Sequence, residues 1–193
     1  MSTALSPKAA EIAQHARTLL EAGGYNSFSY ADISARVNIS KASIHHHFPS
    51  KAELVRVVVA LYREEARAGM AALDTQLADP LAELKAYLGY WVNCIEGQVS
   101  SFCLCAMLGT ELPALPDDIA LEIRGHFSDL AAWLASLLEK GSQSGQLRLT
   151  QAPALEAEVF MATVHGAMMS ARVAQDPKVF QSITALLIEK LAA

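Results

Sequence analysis

Serine, lysine and histidine crowd one short stretch of this chain. Ser40, Lys41, Ala42, Ser43, Ile44, His45, His46 and His47 follow one another there, with no carboxylate among them. Small, donor-rich or cationic side chains on a short helix suit phosphate oxygens and base edges in a DNA major groove, the helix N-terminus toward the bases. Three adjacent histidines also raise the question of a metal site. Successive residues on a helix point about 100° apart, so these rings cannot converge on one ion, and we assign no metal. A second reactive pair is Cys103-x-Cys105. A thiol reacts as its thiolate, which needs exposure and a lowered pKa. A helix N-terminus after Ser100-Ser101 would supply the second at Cys103, with Cys105 or Cys94 as resolving partner. The plainer reading is a buried small hydrophobe, and no Lys or Arg stands within several residues. The pair alone lacks the ligands for zinc.

The elements that must position the first stretch are legible around it. Ser29-Tyr30-Ala31-Asp32 forms an S-x-x-D capping box and starts a helix. Asn38-Ile39-Ser40 breaks that helix, and Ser40 caps the next. Phe48-Pro49 ends the second helix, because the residue before proline is biased out of the α region. Ser50-Lys51-Ala52-Glu53 is a second capping box. Helices this short need packing, which Ile33 with Val37 and Ile44 with Phe48 offer at i, i+4 spacing.

The string from Ile39 to Lys51, ISKASIHHHFPSK, resembles the signature of the TetR/AcrR family of transcriptional repressors. Gly23-Gly24-Tyr25, Ser29 and Asp32-Ile33 resemble the same family's first turn and second helix. The resemblance covers roughly the first quarter of the chain. It implies double-stranded DNA as partner, with Ser29, Ser40, Lys41, Ala42, Ser43, His45 and His46 facing it and Tyr30 and Lys51 flanking as phosphate contacts. Many members carry Tyr where this chain has His45. Histidine can also donate to phosphate, with a charge that depends on pH.

Charge agrees with a DNA-binding head. Residues 1–63 hold seven Lys and Arg against four Asp and Glu, +3, which leaves −8 for the rest of a chain whose total is −5. A basic head on an acidic body is the asymmetry expected when only the head meets phosphate. The hydrophobic fraction of 52% is ample for a core. No run of about 18 apolar residues suggests a membrane span, and Lys8, Glu11 and Arg17 interrupt any signal-peptide core, so a cytoplasmic protein is expected. There is no Gly-rich phosphate loop, nucleophile elbow or H-E-x-x-H. A cysteine hydrolase built on Cys103 and His126 has no further support. We expect no enzyme and no cofactor.

The rest reads as helices throughout, an all-α chain. Ser6-Pro7 opens the first and Gly23-Gly24 stops it. From Lys51 the pattern stays helical to about Ala78, about 28 residues or ~42 Å, long enough to link head and body. Asp79-Pro80 starts the next helix, to about Gln98. Apolar residues 102–108 precede Pro113 and Pro116, a long helix runs from Asp117 to about Ser142, and Gly141 to Gly145 reads as a loop. Thr150 to Pro153 starts a helix that runs to about Val173, and Asp176-Pro177 caps the last one, to about Leu191. With the family resemblance, this divides the chain into a three-helix helix-turn-helix head, residues 1–51, and an antiparallel helical body, residues 52–193, which the resemblance implies binds an effector and dimerises.

Ala162, Gly166 and Ser170 make a line of small residues at i, i+4, i+8. Val159, Met169 and Val173, then Phe180, Ile183, Leu187 and Leu191, add apolar area. The resemblance implies that these last two helices form a four-helix dimer interface. Two-fold symmetry then places recognition helices about one DNA turn, ~34–36 Å, apart on a palindromic operator. The family also binds a small-molecule effector among its middle helices. Residue type and region nominate Tyr87, Trp91, Cys103, Met107, His126, Phe127, His165 and Met168 for that lining. Cys103-Leu104, Leu108 and Glu111-Leu112 resemble a subgroup that senses oxidants or electrophiles through a cysteine, which would make the effector thiol-reactive. The alternative from a different class is a helical thiol-based redox or metal-binding protein without operator binding.

Overall fold

The computed structural model describes residues 5–97 and 102–193. Among them nine α-helices carry the chain. These are α1 (Pro7–Gly23), α2 (Tyr30–Val37), α3 (Lys41–His47), α4 (Lys51–Gln76), α5 (Pro80–Glu96), α6 (Leu104–Gly109), α7 (Asp117–Gln143), α8 (Pro153–Ala174) and α9 (Pro177–Leu191). Short 3-10 turns lie at Tyr25–Ser27 and Leu112–Ala114. The β structure among the described residues is one isolated antiparallel bridge, Leu147 with Ala192.

Local chemistry explains most boundaries. The Ser6 hydroxyl accepts from the Ala9 amide at 3.3 Å, and Pro7 follows at the first helical position. Gly24, at φ 79°, ends α1 with its amide donating to Leu20. The Ser29–Asp32 capping box is complete, the Ser29 amide donating to Asp32 Oδ2 at 2.7 Å. Asn38 caps α2 in the left-handed conformation, φ 53°, which asparagine tolerates. Ser40 caps α3 through the Ser43 amide at 3.1 Å. At the head of α4 the Glu53 amide donates to Ser50 Oγ, but the Glu53 carboxylate turns to Arg56 at 2.8 and 3.0 Å. Asp79 and Asp176 cap α5 and α9, each ahead of a proline. One expectation fails: Gly141 lies inside α7 and not in a loop. Leu147 folds back on it so closely that a Cβ there would collide with Leu147 Cδ1 and Cγ.

The chain gathers into two compact units. The first takes residues up to Glu64 together with Cys103–Gly125; the second takes Glu65–Phe102 and His126–Ala193. Helices α4 and α7 contribute to both. The head thus keeps company with α6 and the start of α7, a grouping other than the division after residue 51.

In the first unit α1 packs on α2 and also on α6. Ile12, Ala16 and Leu20 of α1, Ile33, Ile44 and Leu54, and Leu104 and Leu108 of α6 are all fully buried. Each large aliphatic side chain removed from water contributes about 1.5–3 kcal/mol, enough to hold two helices of two turns that propensity alone would not. In the second unit α9 lies against α8 and α5. Leu84, Leu134, Leu137, Phe160, Val164, Met168 and Phe180 form its interior.

Candidate nucleic-acid interface and effector region

Ile44 of α3 is fully buried and Phe48 just beyond it nearly so. That anchors α3 by one face and turns the other outward. Ser40, Lys41, Ala42, Ser43, His45 and His46 are all exposed. The sequence expectation for these six is an outward, carboxylate-free face, and that is where they stand. His45 is further constrained. Its Nδ1 lies 3.2 Å from the Pro49 carbonyl, and its ring meets Tyr30 edge-on at 4.8 Å. With Nδ1–H directed at a carbonyl, Nε2 points outward as an acceptor in the neutral ring and as a donor in the cation.

The flanking contacts need correction. Tyr30 is buried, and its hydroxyl donates to the Phe48 carbonyl at 2.9 Å. Burial, with Tyr25 and Glu53 nearby, pushes its pKa up to about 12. It ties the start of α2 to the end of α3 and is not offered to a phosphate. Lys51 is half-buried, its Nζ donating to the Phe28 carbonyl at 2.5 Å and lying 4.7 and 4.4 Å from the Tyr25 and Phe28 ring centres. Burial lowers its pKa. Lys51 clamps the head from inside. Ser29 is exposed, but its hydroxyl serves the capping box, donating to Asp32 Oδ2 and accepting from the Ala31 amide.

Sequence reasoning missed how residues 103–125 grip the head. Glu111 Oε2 accepts from the Tyr25 amide at 2.6 Å, across 86 positions of sequence. The same carboxylate occupies the space beside Gly24, where a Cβ would meet it at 2.7 Å. Arg63 of α4 bridges to Glu122 of α7 at 3.2 Å, and Arg17 of α1 lies over the Tyr62 ring while bonding Glu21 at 2.8 Å. Arg17 and Glu21 stand one helical turn apart, but no local pattern marks the reach from Tyr25 to Glu111 or from Arg63 to Glu122, 86 and 59 positions apart.

Cys103 does stand at the N-cap of α6, as expected, though Ser100 and Ser101 lie outside the described residues. Its accessibility is corrected. The side chain is 1% exposed and Tyr62 donates to its Sγ at 3.4 Å. Burial raises the thiol pKa despite that bond and the amides of Ala106 and Cys105. Cys105 is buried too, and burial pushes its pKa well above the ordinary value, with Cys103 adding to it. Neither condition for a reactive thiolate is met at either sulfur. Cys94 is half-buried.

The effector candidates divide between the units. Cys103 and Met107 belong to the first; Tyr87, Trp91, His126, Phe127, His165 and Met168 belong to the second. Within the second, the Phe127 and His165 rings lie edge-on with centres 5.5 Å apart, and the Tyr87 ring centre lies 5.6 Å from that of Trp133 and 6.4 Å from that of Phe160. Trp91, His126 and Met168 are buried. Burial drives the His165 pKa down to about 4, so the ring is neutral at ordinary pH. Its Nε2 and the Trp91 Nε1 are buried without a hydrogen-bond partner among the described residues.

The proposed interface residues also sort by exposure. Val159, Ala162, Gly166, Met169, Ser170 and Val173 of α8 are exposed, Val173 at 77%. Ile183 and Leu187 of α9 are half-buried. Phe180 is corrected: at 1% exposure it fills the core beside α8 and has no area to offer a partner. Leu155 and Leu186, which the sequence reading passed over, are exposed at 51% and 50%.

Comparison with known proteins follows this geometry closely. The family model described as bacterial regulatory proteins, tetR family, matches residues 12–58. A second, described as tetracyclin repressor-like, C-terminal domain, matches residues 80–187, more than half the chain. The chain belongs to the TetR family. A solved TetR-family transcriptional regulator from Agrobacterium tumefaciens is 53% identical, with TM-score 0.94, over 96% of this chain and 98% of that one. The transcriptional regulator AcuR of Cereibacter sphaeroides is 29% identical over 83% of this chain and 74% of its own length. The HTH-type transcriptional repressor DhaR of a Mycobacterium species is 23% identical over 87% and 84%. The protein is therefore a TetR-family DNA-binding transcriptional regulator, with the helix-turn-helix of the family in α2 and α3, and its relatives are regulators, not enzymes. No helix among the described residues is long and apolar enough to cross a membrane.

Proposed function

We propose that this TetR-family regulator is a homodimeric repressor, bound to a palindromic operator in the cytoplasm and released by a small-molecule effector held in its second unit. The observation that carries the dimer is an exposed apolar ridge on α8. Leu155, Val159, Ala162, Gly166, Met169 and Val173 recur at spacings of four and three and are all solvent-facing in the protomer. That is the seam spacing of one helix packed on another. Gly166 sits mid-ridge, and a Cβ there would meet nothing within 4 Å. A glycine that the protomer does not need, in a helix it weakens, makes sense where a second helix approaches closely. The name repressor rests on relatives such as DhaR.

The DNA face proposed is Ser40, Lys41, Ala42, Ser43, His45 and His46, with Ser29 at its edge through the α2 N-terminus. Burial of Cys103 and Cys105 favours a non-covalent effector over a thiol-reactive one, and family membership removes the ground for a thiol or metal protein without operator binding. The test is binding of the purified protein to DNA upstream of its own gene across a salt series. Repression through phosphate contacts requires log K to fall linearly with log salt, and tight binding to this DNA but not to an unrelated duplex. A monomer in sedimentation at micromolar concentration would exclude the dimeric reading.

A further inference from the structure

The fold fixes where one DNA-facing side chain keeps its hydrogen. The Pro49 carbonyl, 3.2 Å from His45 Nδ1, can only accept, so the hydrogen of that bond sits on Nδ1. The Tyr30 ring, edge-on with its centre 4.8 Å away, holds the imidazole in that orientation. Nε2 stands across the ring from Nδ1, on an exposed side chain. In the neutral ring that atom carries a lone pair, and it donates only after it takes a second proton. Moving the hydrogen from Nδ1 to Nε2 is no way out, because it sets the Nδ1 lone pair against the Pro49 carbonyl.

The charged and titratable groups of the elements around this ring are engaged elsewhere. On α2 the Tyr30 hydroxyl donates to the Phe48 carbonyl, and Asp32 accepts from Ser29 with Arg36 near it. On α4 Lys51 donates to the Phe28 carbonyl and Glu53 accepts from Arg56. On α3 itself stand Lys41, one turn back, and His46 and His47, whose rings meet edge-on. Among the described residues no carboxylate bonds the His45 ring. The anion that would stabilise its charged form is supplied from outside.

We infer that His45 meets a DNA phosphate as the imidazolium alone, so that each head takes up one proton from solvent as it closes on the duplex. The inference rests on the reading of α3 as the DNA face. A phosphate oxygen accepts, and against neutral Nε2 it opposes one lone pair with another. The proton that solvent gives to Nε2 turns that opposition into a charge-assisted hydrogen bond, about twice as strong as a neutral one. Lys41 needs no such step, since its ammonium already carries donors. Nor does His46, which makes no hydrogen bond among the described residues and can place its hydrogen on whichever nitrogen meets DNA. A base-edge contact has the opposite sign. Neutral Nε2 would accept from an amino group of adenine or cytosine and lose that bond on protonation.

The experiment measures binding of the full chain to fluorescent duplexes between about pH 8 and pH 6, the range in which histidine changes charge, at constant ionic strength. One duplex is the DNA upstream of its own gene; the other, at low salt, is unrelated. Every duplex offers phosphate, so affinity rises on both as pH falls, by about five- to tenfold for each bound His45. His45→Gln, whose amide donates at every pH, loses that share of the rise, and His46→Gln keeps it. Helix content of each protein is checked at both ends of the range. Should the glutamine variant fail to fold, His45→Lys, a permanent cation, is expected to lose the same share. The inference is overturned if the unaltered protein binds equally across the range, if it binds more weakly at the acid end, or if a folded His45 variant keeps the full dependence. The two readings fail separately. Upstream DNA bound tightly with a flat pH profile keeps the operator and sinks the proton; a proton-linked affinity that is the same for both duplexes keeps the proton and sinks the operator.

Discussion

Glu83 shows how much one side chain can set. It is 3% exposed on α5, and its Oε2 has no hydrogen-bond partner among the described residues. Burial first, then a hydrogen bond and charge repulsion from Asp74, push its pKa up to about 7 from 4.5, with Lys140 opposing. The sign of the linkage follows. Below about pH 4.5 both folded and unfolded chains hold this proton, and stability does not depend on it. Between 4.5 and 7 the folded state binds the extra proton, so stability falls as pH rises; above 7 the full cost remains. Glu83→Gln keeps the neutral shape and removes the titration. It is expected to stabilise the protein at pH 8 by on the order of 1–3 kcal/mol and to change little at pH 4.5. Denaturant unfolding of both proteins at the two pH values checks this. A difference of the same size at both would mean that the folded protein carries Glu83 already ionised.

The thiols belong to the same scale. Cys94 is half-buried while Cys103 and Cys105 are sealed, so iodoacetamide is expected to label Cys94 first and to reach the other two only as denaturant opens the first unit. Mass spectrometry of a timed reaction reads the order. Native labelling of Cys103 at the pace of a free thiol would restore the sensor reading. Here sequence and structure part for a simple reason. The spacing of Cys103 ahead of a helix is local and visible, whereas its burial under Tyr62, 41 positions away, is not.

At the scale of elements the sequence was most legible where chemistry is local. Ser6, Ser29, Asn38, Ser40, Asp79 and Asp176 mark helix ends because each satisfies or terminates backbone groups within a few residues. The outward face of α3 followed from the same rule, since buried Ile44 fixes which side looks out. What could not be read was the inward use of Tyr30 and Lys51, because their partners are the carbonyls of Phe48 and Phe28, 18 and 23 positions away. Two variants separate the roles. Tyr30→Phe removes a buried hydrogen bond and is expected to cost about 1 kcal/mol of stability with the salt slope of DNA binding unchanged. Lys41→Ala, on the exposed face, is expected to leave stability within about 0.5 kcal/mol and to lower that slope by about 1. Thermal unfolding and binding across a salt series give both numbers. A changed slope in Tyr30→Phe would return that hydroxyl to the DNA. The strut from Glu111 to Tyr25 and Gly24 is the other feature that spacing could not reveal. It makes residues 103–125 part of the head's own support, so a shift in that segment has a direct mechanical route to α1 and α2.

At the scale of the whole molecule the open question is what covers α8. A protomer that leaves Leu155, Val159, Met169 and Val173 in water forgoes the stabilisation that burying them would bring, about 25 cal/mol for each Å². Small residues between them, Ala162 and Gly166, lower the ridge so that another helix can come close, as a bulky residue would not allow. Gly166→Leu tests the idea without touching the protomer's interior, because nothing stands within 4 Å of the new Cβ. Within one protomer the change is favourable, since leucine is a better helix former than glycine by roughly 0.5–1 kcal/mol. Between two protomers it is a wedge. The expected outcome is an undiminished helical signal, a shift from dimer to monomer in sedimentation, and loss of tight binding to a two-half-site operator, because one recognition helix alone reaches only half the site. If the variant stays dimeric and binds as before, the interface lies elsewhere on the surface and the ridge on α8 faces something other than a second copy of itself.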